Sequence, residues 1–133
     1  MFGPQGWTDK VVEYLRKKKI KIEKSADPTV LYCNVSSKEL KELSKLIPPK
    51  NMSFRRNYSP RFKDYLNFAE KCPKAEFMIY VVRKPREDER VGIEGVIFPK
   101  SYVGDAEKLL LAKAEDHPDD VGETDGYVYY WWD

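Results

Sequence analysis

Apolar residues recur along this chain at two spacings, three to four apart or every second position, and the changes between them mark out helices and strands. Trp7, Val11, Tyr14 and Leu15 share one helical face behind Thr8 or Asp9, either of which caps a first helix, while Lys10, Arg16, Lys17 and Lys19 face water. Ile20 and Ile22 then alternate with Lys19, Lys21 and Glu23 as a short strand. Ala26-Asp27-Pro28 turns the chain, and residues 29–35 form a second strand rich in β-branched and aromatic side chains. Ser36-Ser37-Lys38-Glu39 matches a capping box, in which a Ser hydroxyl and a Glu carboxylate satisfy each other's free backbone N–H groups. The second helix, which starts there, buries Leu40, Leu43 and Ile47 and stops at Pro48-Pro49, which lack backbone donors.

Beyond a loop at 50–58, Ser59-Pro60 reads as the N-cap and first residue of a third helix, with Phe62, Tyr65, Leu66, Ala69 and Cys72 as its apolar stripe and Pro73 as its stop. Residues 77–82 are apolar at both alternating sets of positions and predict a central strand covered on both sides. A charged turn at 85–90 returns the chain through 91–98, where Gly92 and Gly95 mark a bulge or a close approach. A fourth helix from Gly104-Asp105 buries Ala106, Leu109 and Leu110, and residues 117–126 read as an acidic loop. The last strand, 127–132, carries Val128, Tyr130 and Trp132 on one face and Tyr127, Tyr129 and Trp131 on the other.

This order predicts one α+β domain over residues 1–133, with about four helices and an antiparallel sheet built around a central hairpin. Over roughly residues 8–99, the sequence helix, strand, two helices, hairpin resembles a winged helix-turn-helix, here with a C-terminal extension. The resemblance implies DNA binding through the third helix. Its connection from Ile47 to Ser59 is longer than the three or four residues of such a turn, and the helix offers Asp64 and Glu70 beside Lys63 and Lys71.

Composition removes several chemistries. His117 is the only histidine, so sites needing several imidazoles within one subunit are excluded. Cys33 and Cys72 lack Cys-x-x-Cys spacing and read as buried thiols, the rival being one disulfide if the two positions meet in space. No basic-then-apolar leader and no apolar run near roughly 18 residues is present, which predicts a cytoplasmic, non-membrane protein. Abundant Lys and Glu beside a single Gln, Gln5, matches the bias reported for proteins of thermophiles.

Charge changes the picture most. The total is 24 Lys+Arg against 22 Asp+Glu, yet residues 1–75 hold 17 against 8, net +9, and residues 76–133 hold 7 against 14, net −7. A basic half attracts polyanions by counterion release. Within it, residues 54–63 alternate cations with aromatics, so guanidinium groups grip phosphates while rings stack on unpaired bases and a helix N-terminus adds N–H groups. The nucleic-acid-binding residues expected from this pattern are Lys50, Arg55, Arg56, Tyr58, Arg61 and Lys63, with Lys17, Lys18 and Lys19 as a second basic cluster. The partner is then DNA or RNA and the protein a non-enzymatic binder. The competing reading is a protein-interaction module or homodimer using the acidic half and the terminal aromatic strand, with Tyr129, Trp131 and Trp132 at its interface. A third, a metal-dependent hydrolase, would draw on Asp116, His117, Asp119, Asp120, Glu123 and Asp125, but the spacing matches no calcium loop. No cofactor, metal ligand or catalytic residue is assigned.

Overall fold

The chain folds as α1 (Thr8–Lys17), β1 (Ile22–Lys24), β2 (Val30–Ser36), α2 (Ser37–Ser44), α3 (Pro49–Met52), α4 (Phe62–Lys71), β3 (Glu76–Val82), β4 (Arg90–Pro99), a 3-10 turn (Lys100–Tyr102), α5 (Asp105–Lys113), β5 (Asp120–Thr124) and β6 (Tyr127–Trp131). These elements belong to a computed structural model that describes residues 2–102 and 104–133. The strands form one sheet in the order β1-β2-β3-β4-β6-β5, every neighbouring pair antiparallel. The protein is thus α+β with the β3–β4 hairpin at the centre of its sheet, as the hydrophobic pattern predicts.

Alternation decides which side of the sheet is covered. Leu31, Cys33 and Val35 of β2, Phe77, Ile79 and Val81 of β3, Val96 and Phe98 of β4, and Val128 and Tyr130 of β6 point one way. They join Val11, Leu15, Leu40, Leu43, Tyr65, Phe68 and Leu110 from the helices in one buried cluster. Helices α1, α2, α4 and α5 therefore pack on a single face of the sheet. Among the described residues no helix lies on the other face and none is long and apolar enough to cross a membrane. This corrects the expectation for β3: Tyr80 and Val82 are buried on that side, but Met78 is only half-buried and Glu76 is exposed.

Local chemistry sets the ends of the elements. Ser36 and Glu39 form the expected capping box: the Glu39 N–H donates to Ser36 Oγ at 3.1 Å and the Ser36 N–H donates to Glu39 Oε1 at 2.9 Å. Helix α4 starts at Phe62 and not at Pro60, because Ser59 is used elsewhere: its Oγ accepts the Arg56 N–H at 3.1 Å. The capping acceptor is Asp64, whose Oδ2 takes the Arg61 N–H at 3.0 Å. Pro49, well placed at a helix start, opens the additional single turn α3 inside the expected loop. The acidic loop also proves partly ordered: Asp125 (φ 46°) and Gly126 (φ 83°) make a two-residue turn with both φ positive, which closes the β5–β6 hairpin. Helix α5 buries Leu110 and the Glu107 carboxylate, which accepts the Tyr130 hydroxyl; Leu109, expected inside, is 44% exposed.

The winged-helix likeness does not survive the topology. Helices α2 and α4 pack together, but α3 and an irregular segment lie between them, and both rest on a six-stranded sheet whose central hairpin is no peripheral wing.

Both cysteines are free and buried. Burial pushes the Cys33 thiol up to about 12 and raises Cys72 as well, so neither offers thiolate near neutrality. The folded protein at pH 8 is expected to resist a disulfide reagent such as DTNB, releasing both thiols only on denaturation; rapid labelling of the native protein would contradict this packing.

Candidate functional site

Three adjacent rows of side chains run across the strands in the middle of the open face. Asn34, Met78, Gly95, Trp131 and Asp120 are successive partners in one row. Glu23, Tyr32, Tyr80 and Gly92 form the row on one side of it, and Glu76, Ile97, Tyr129 and Gly122 the row on the other. Between them runs a groove made of two clefts, of about 450 Å³ and about 320 Å³, that share Asn34, Glu76 and Met78. The larger reaches Lys21 and Glu23 at the β1 edge, and the smaller reaches Trp131 and Asp120 at the β5 edge. At about 4.8 Å per strand the groove spans the sheet's width, roughly 24 Å.

A β-bulge shapes its centre. Ile79 faces Ile93 while Met78 faces Gly95, leaving Glu94 as an extra residue without a partner on β3. An extra residue shifts the alternation, so Glu94 and Gly95 both fall on the open side while Ile93 and Val96 both face the helices. Gly95 has no alternative here, since a Cβ would stand 2.3 Å from Met78 Cε and 2.6 Å from the Tyr130 carbonyl oxygen. Gly92 is likewise required, because the Tyr80 ring lies across it with Cζ 2.3 Å from where a Cβ would be. Both glycines thus do what their spacing foretold.

Arginines cover the part of the open face above Tyr80. Residues 54–56 pass along the outer edge of β4, and Arg56 folds over it, its guanidinium 5.1 Å from the Tyr80 ring centroid. Arg56 Nη1 donates to Glu94 Oε2 at 3.2 Å, and Nη2 to Asp133 Oδ1 at 3.3 Å. Burial opposes the charge of Arg56, but Tyr80, Glu94 and Tyr32 outweigh it, and its pKa rises. Arg90 lies 5.4 Å from the Phe54 ring and 5.9 Å from that of Tyr80. Burial raises the Glu94 carboxyl above the ordinary carboxylate range, against the pull of Arg56 and the Trp131 side chain. Glu94 is therefore a half-buried acid whose compensation is incomplete.

The expected nucleic-acid-binding residues fall mainly into two groups, arginines held by carboxylates and exposed lysines. Arg55 Nη1 sits 2.8 Å from Glu115 Oε1, an ion pair at an angle outside hydrogen-bond geometry, and only 16% of its side chain is exposed. Arg56 is held as described. Lys17, Lys18 and Lys19 are exposed at the end of α1, where Lys18 pairs with Glu42 at 3.6 Å. Lys50 is exposed on α3 and Lys63 on α4; Tyr58 is 59% exposed, and Arg61 supplies the residue before α4. The basic and acidic parts of the chain interleave instead of separating, since Arg55, Arg56, Asp9 and Asp27 all pair across the division.

The three aromatic interface residues also part company. Tyr129 and Trp131 lie half-buried on the open face, whereas Trp132 is fully buried against Tyr65 and Tyr130 and is removed from any interface. The acidic residues considered for a metal spread along the β5–β6 hairpin and its approach: Asp116 pairs with His117, Asp119 accepts the Asp133 N–H, Asp120 the Tyr129 hydroxyl, and Glu123 pairs with Lys100. Among the described residues no three His, Cys, Asp or Glu side chains are grouped to hold a metal ion. Comparison with protein-family models, with curated proteins and with solved structures finds no match.

Proposed function

We propose that this chain is a non-catalytic protein-interaction module that receives a positively charged, extended segment of a partner protein in the open-face groove. One observation carries the reading: a groove floored by Met78 and walled by Tyr32, Tyr129 and Trp131 is lined by four carboxylates, Glu23, Glu76, Glu94 and Asp120, against one lysine, Lys21. Aromatic faces attract cations through their quadrupole, and carboxylates steer and hold them. The length suits about seven residues of extended chain at roughly 3.3 Å each. A phosphate backbone would meet repulsion on the same surface.

The test is a titration, by calorimetry and by tryptophan emission, with a seven-residue Lys/Arg/Ser peptide and its Glu-substituted counterpart. Trp131 is the half-buried tryptophan on the groove, whereas Trp7 and Trp132 are buried. Only the basic peptide is expected to bind, and Glu76→Gln combined with Asp120→Asn is expected to weaken it about tenfold. Failure of the basic peptide to bind, or an unaffected double variant, removes the proposal.

A second reading, nucleic-acid binding through phosphates, rests on Lys17, Lys19, Lys50 and Lys63, which are exposed and without an ion-pair partner among the described residues. The same titration with a single-stranded and a duplex oligonucleotide separates the two: salt-sensitive binding lost on substituting these lysines by alanine supports this reading over the first.

A further inference from the structure

Arg56 displays, inside this molecule, how the open face holds a guanidinium: a flat cation over the Tyr80 ring, with Glu94 on one side and Asp133 on the other. The adjoining 450 Å³ cleft offers a similar set of groups, one carboxylate of which it shares with Arg56. Tyr32, whose ring centroid lies 6.3 Å from that of Tyr80, supplies the aromatic face. Glu94, shared with Arg56, supplies one carboxylate, and Glu76 the other. Asn34 adds an exposed side-chain amide at the floor.

We propose that this cleft is an arginine pocket: one arginine side chain of the partner segment enters it, with its guanidinium against Tyr32 and bridging Glu94 and Glu76. The inference rests on the basic-segment reading above and narrows it to a residue type. Guanidinium is favoured over ammonium for three reasons. It is planar and stacks on aromatic faces. Its five donors lie in one plane and serve two carboxylates at once, where an ammonium acts as a point charge. It is more weakly hydrated, so it gives up less on reaching a half-buried carboxylate such as Glu94. The bulge acquires a purpose in this account, since regular pairing would not turn to the open face both Glu94, which lines the cleft, and the side-chain-less Gly95, which leaves room for Met78 on the cleft floor.

Three peptides of seven residues, Gly and Ser apart from a single central arginine, lysine or citrulline, test the proposal by calorimetry. The arginine peptide is expected to bind about tenfold more tightly than the lysine peptide, and the citrulline peptide, which keeps the shape but not the charge, not measurably. Glu76→Gln, at an exposed position, is expected to leave the fold intact and reduce the arginine peptide to the level of the lysine peptide. Equal binding of arginine and lysine peptides overturns the arginine pocket while leaving the basic-segment reading in place. Binding of citrulline as tight as arginine, or binding of none of the peptides, overturns the arginine pocket, and the Lys/Arg/Ser titration then decides the basic-segment reading. Unchanged arginine binding in Glu76→Gln overturns the two-carboxylate bridge.

Discussion

Trp132→Ala is expected to destabilise the protein by about 3–5 kcal/mol, the range for deleting a large buried aromatic, and to lower Tm by about 10–20 °C. Trp132 is the largest fully buried side chain; it packs edge-on to Tyr65, with ring centroids 6.2 Å apart, and its indole N–H donates to the Asp116 carbonyl at 3.1 Å. Its backbone N–H also donates to the Glu94 carbonyl at 2.8 Å, extending the pairing with β4 past the end of β6. Alanine keeps that backbone bond but leaves a cavity under α4. The neighbouring substitution Trp131→Ala falls on the open face and is expected to cost no more than about 1 kcal/mol. Urea unfolding of the two variants side by side measures the difference, and equal losses would mean that the alternation along β6 is wrongly assigned.

Asn51→Ala is the second large effect, at about 2–6 kcal/mol, arising from hydrogen bonds alone. Strand β6 pairs with β4 only over Gly95–Pro99, so the outer edge of β4 at Val91 lacks a strand beside it. Asn51, fully buried on α3, fills that place with its side-chain amide: Nδ2 donates to the Val91 carbonyl at 2.9 Å and Oδ1 accepts the Val91 N–H at 3.0 Å. The amide substitutes for the peptide group of a missing strand. Removing it leaves a buried donor and a buried acceptor bare, at about 1–3 kcal/mol each. The measurement is the shift of the urea midpoint at unchanged m, with Lys50→Ala, the exposed neighbour, expected to behave as the parent. A loss below about 1 kcal/mol would show that water reaches Val91 freely.

The sequence made the strands and their faces legible because burial repeats at a fixed period: Val128, Tyr130 and Trp132 separate from Tyr127, Tyr129 and Trp131 by alternation alone. The capping box at Ser36 was equally plain, since both partners lie three residues apart. What could not be read was which polar side chains turn inward to remote partners. Ser59 looks like an N-cap and is instead bound to Arg56, and Asn51 looks like a loop residue and completes a strand edge. One local signal does point to β5: Asp125-Gly126 is the residue pair a tight hairpin turn favours. The groove depends on partners set by register, Asn34 with Met78 and Gly95 with Trp131, which no spacing along the chain encodes. Its one visible trace was Gly92 and Gly95 on either side of Ile93-Glu94.

The change of charge at residue 75 falls between the strands β2 and β3, which pair side by side in the sheet. The strands before it are β1 and β2, and those after it are the contiguous four β3-β4-β6-β5, so within the sheet the two parts of the chain meet along the seam between β2 and β3, while outside the sheet α1, α2, α3 and α4 also pack on elements of the second part. That seam joins a part of net charge +9 to one of −7. In the folded protein the opposed charges meet in ion pairs, Arg55 with Glu115, Arg56 with Glu94 and Asp133, Lys84 with Asp9 and Arg86 with Asp27, and salt screens the exposed ones among them. The unequal distribution of charge along the chain is thus largely cancelled in space, which leaves the folded surface far less polarised than the sequence.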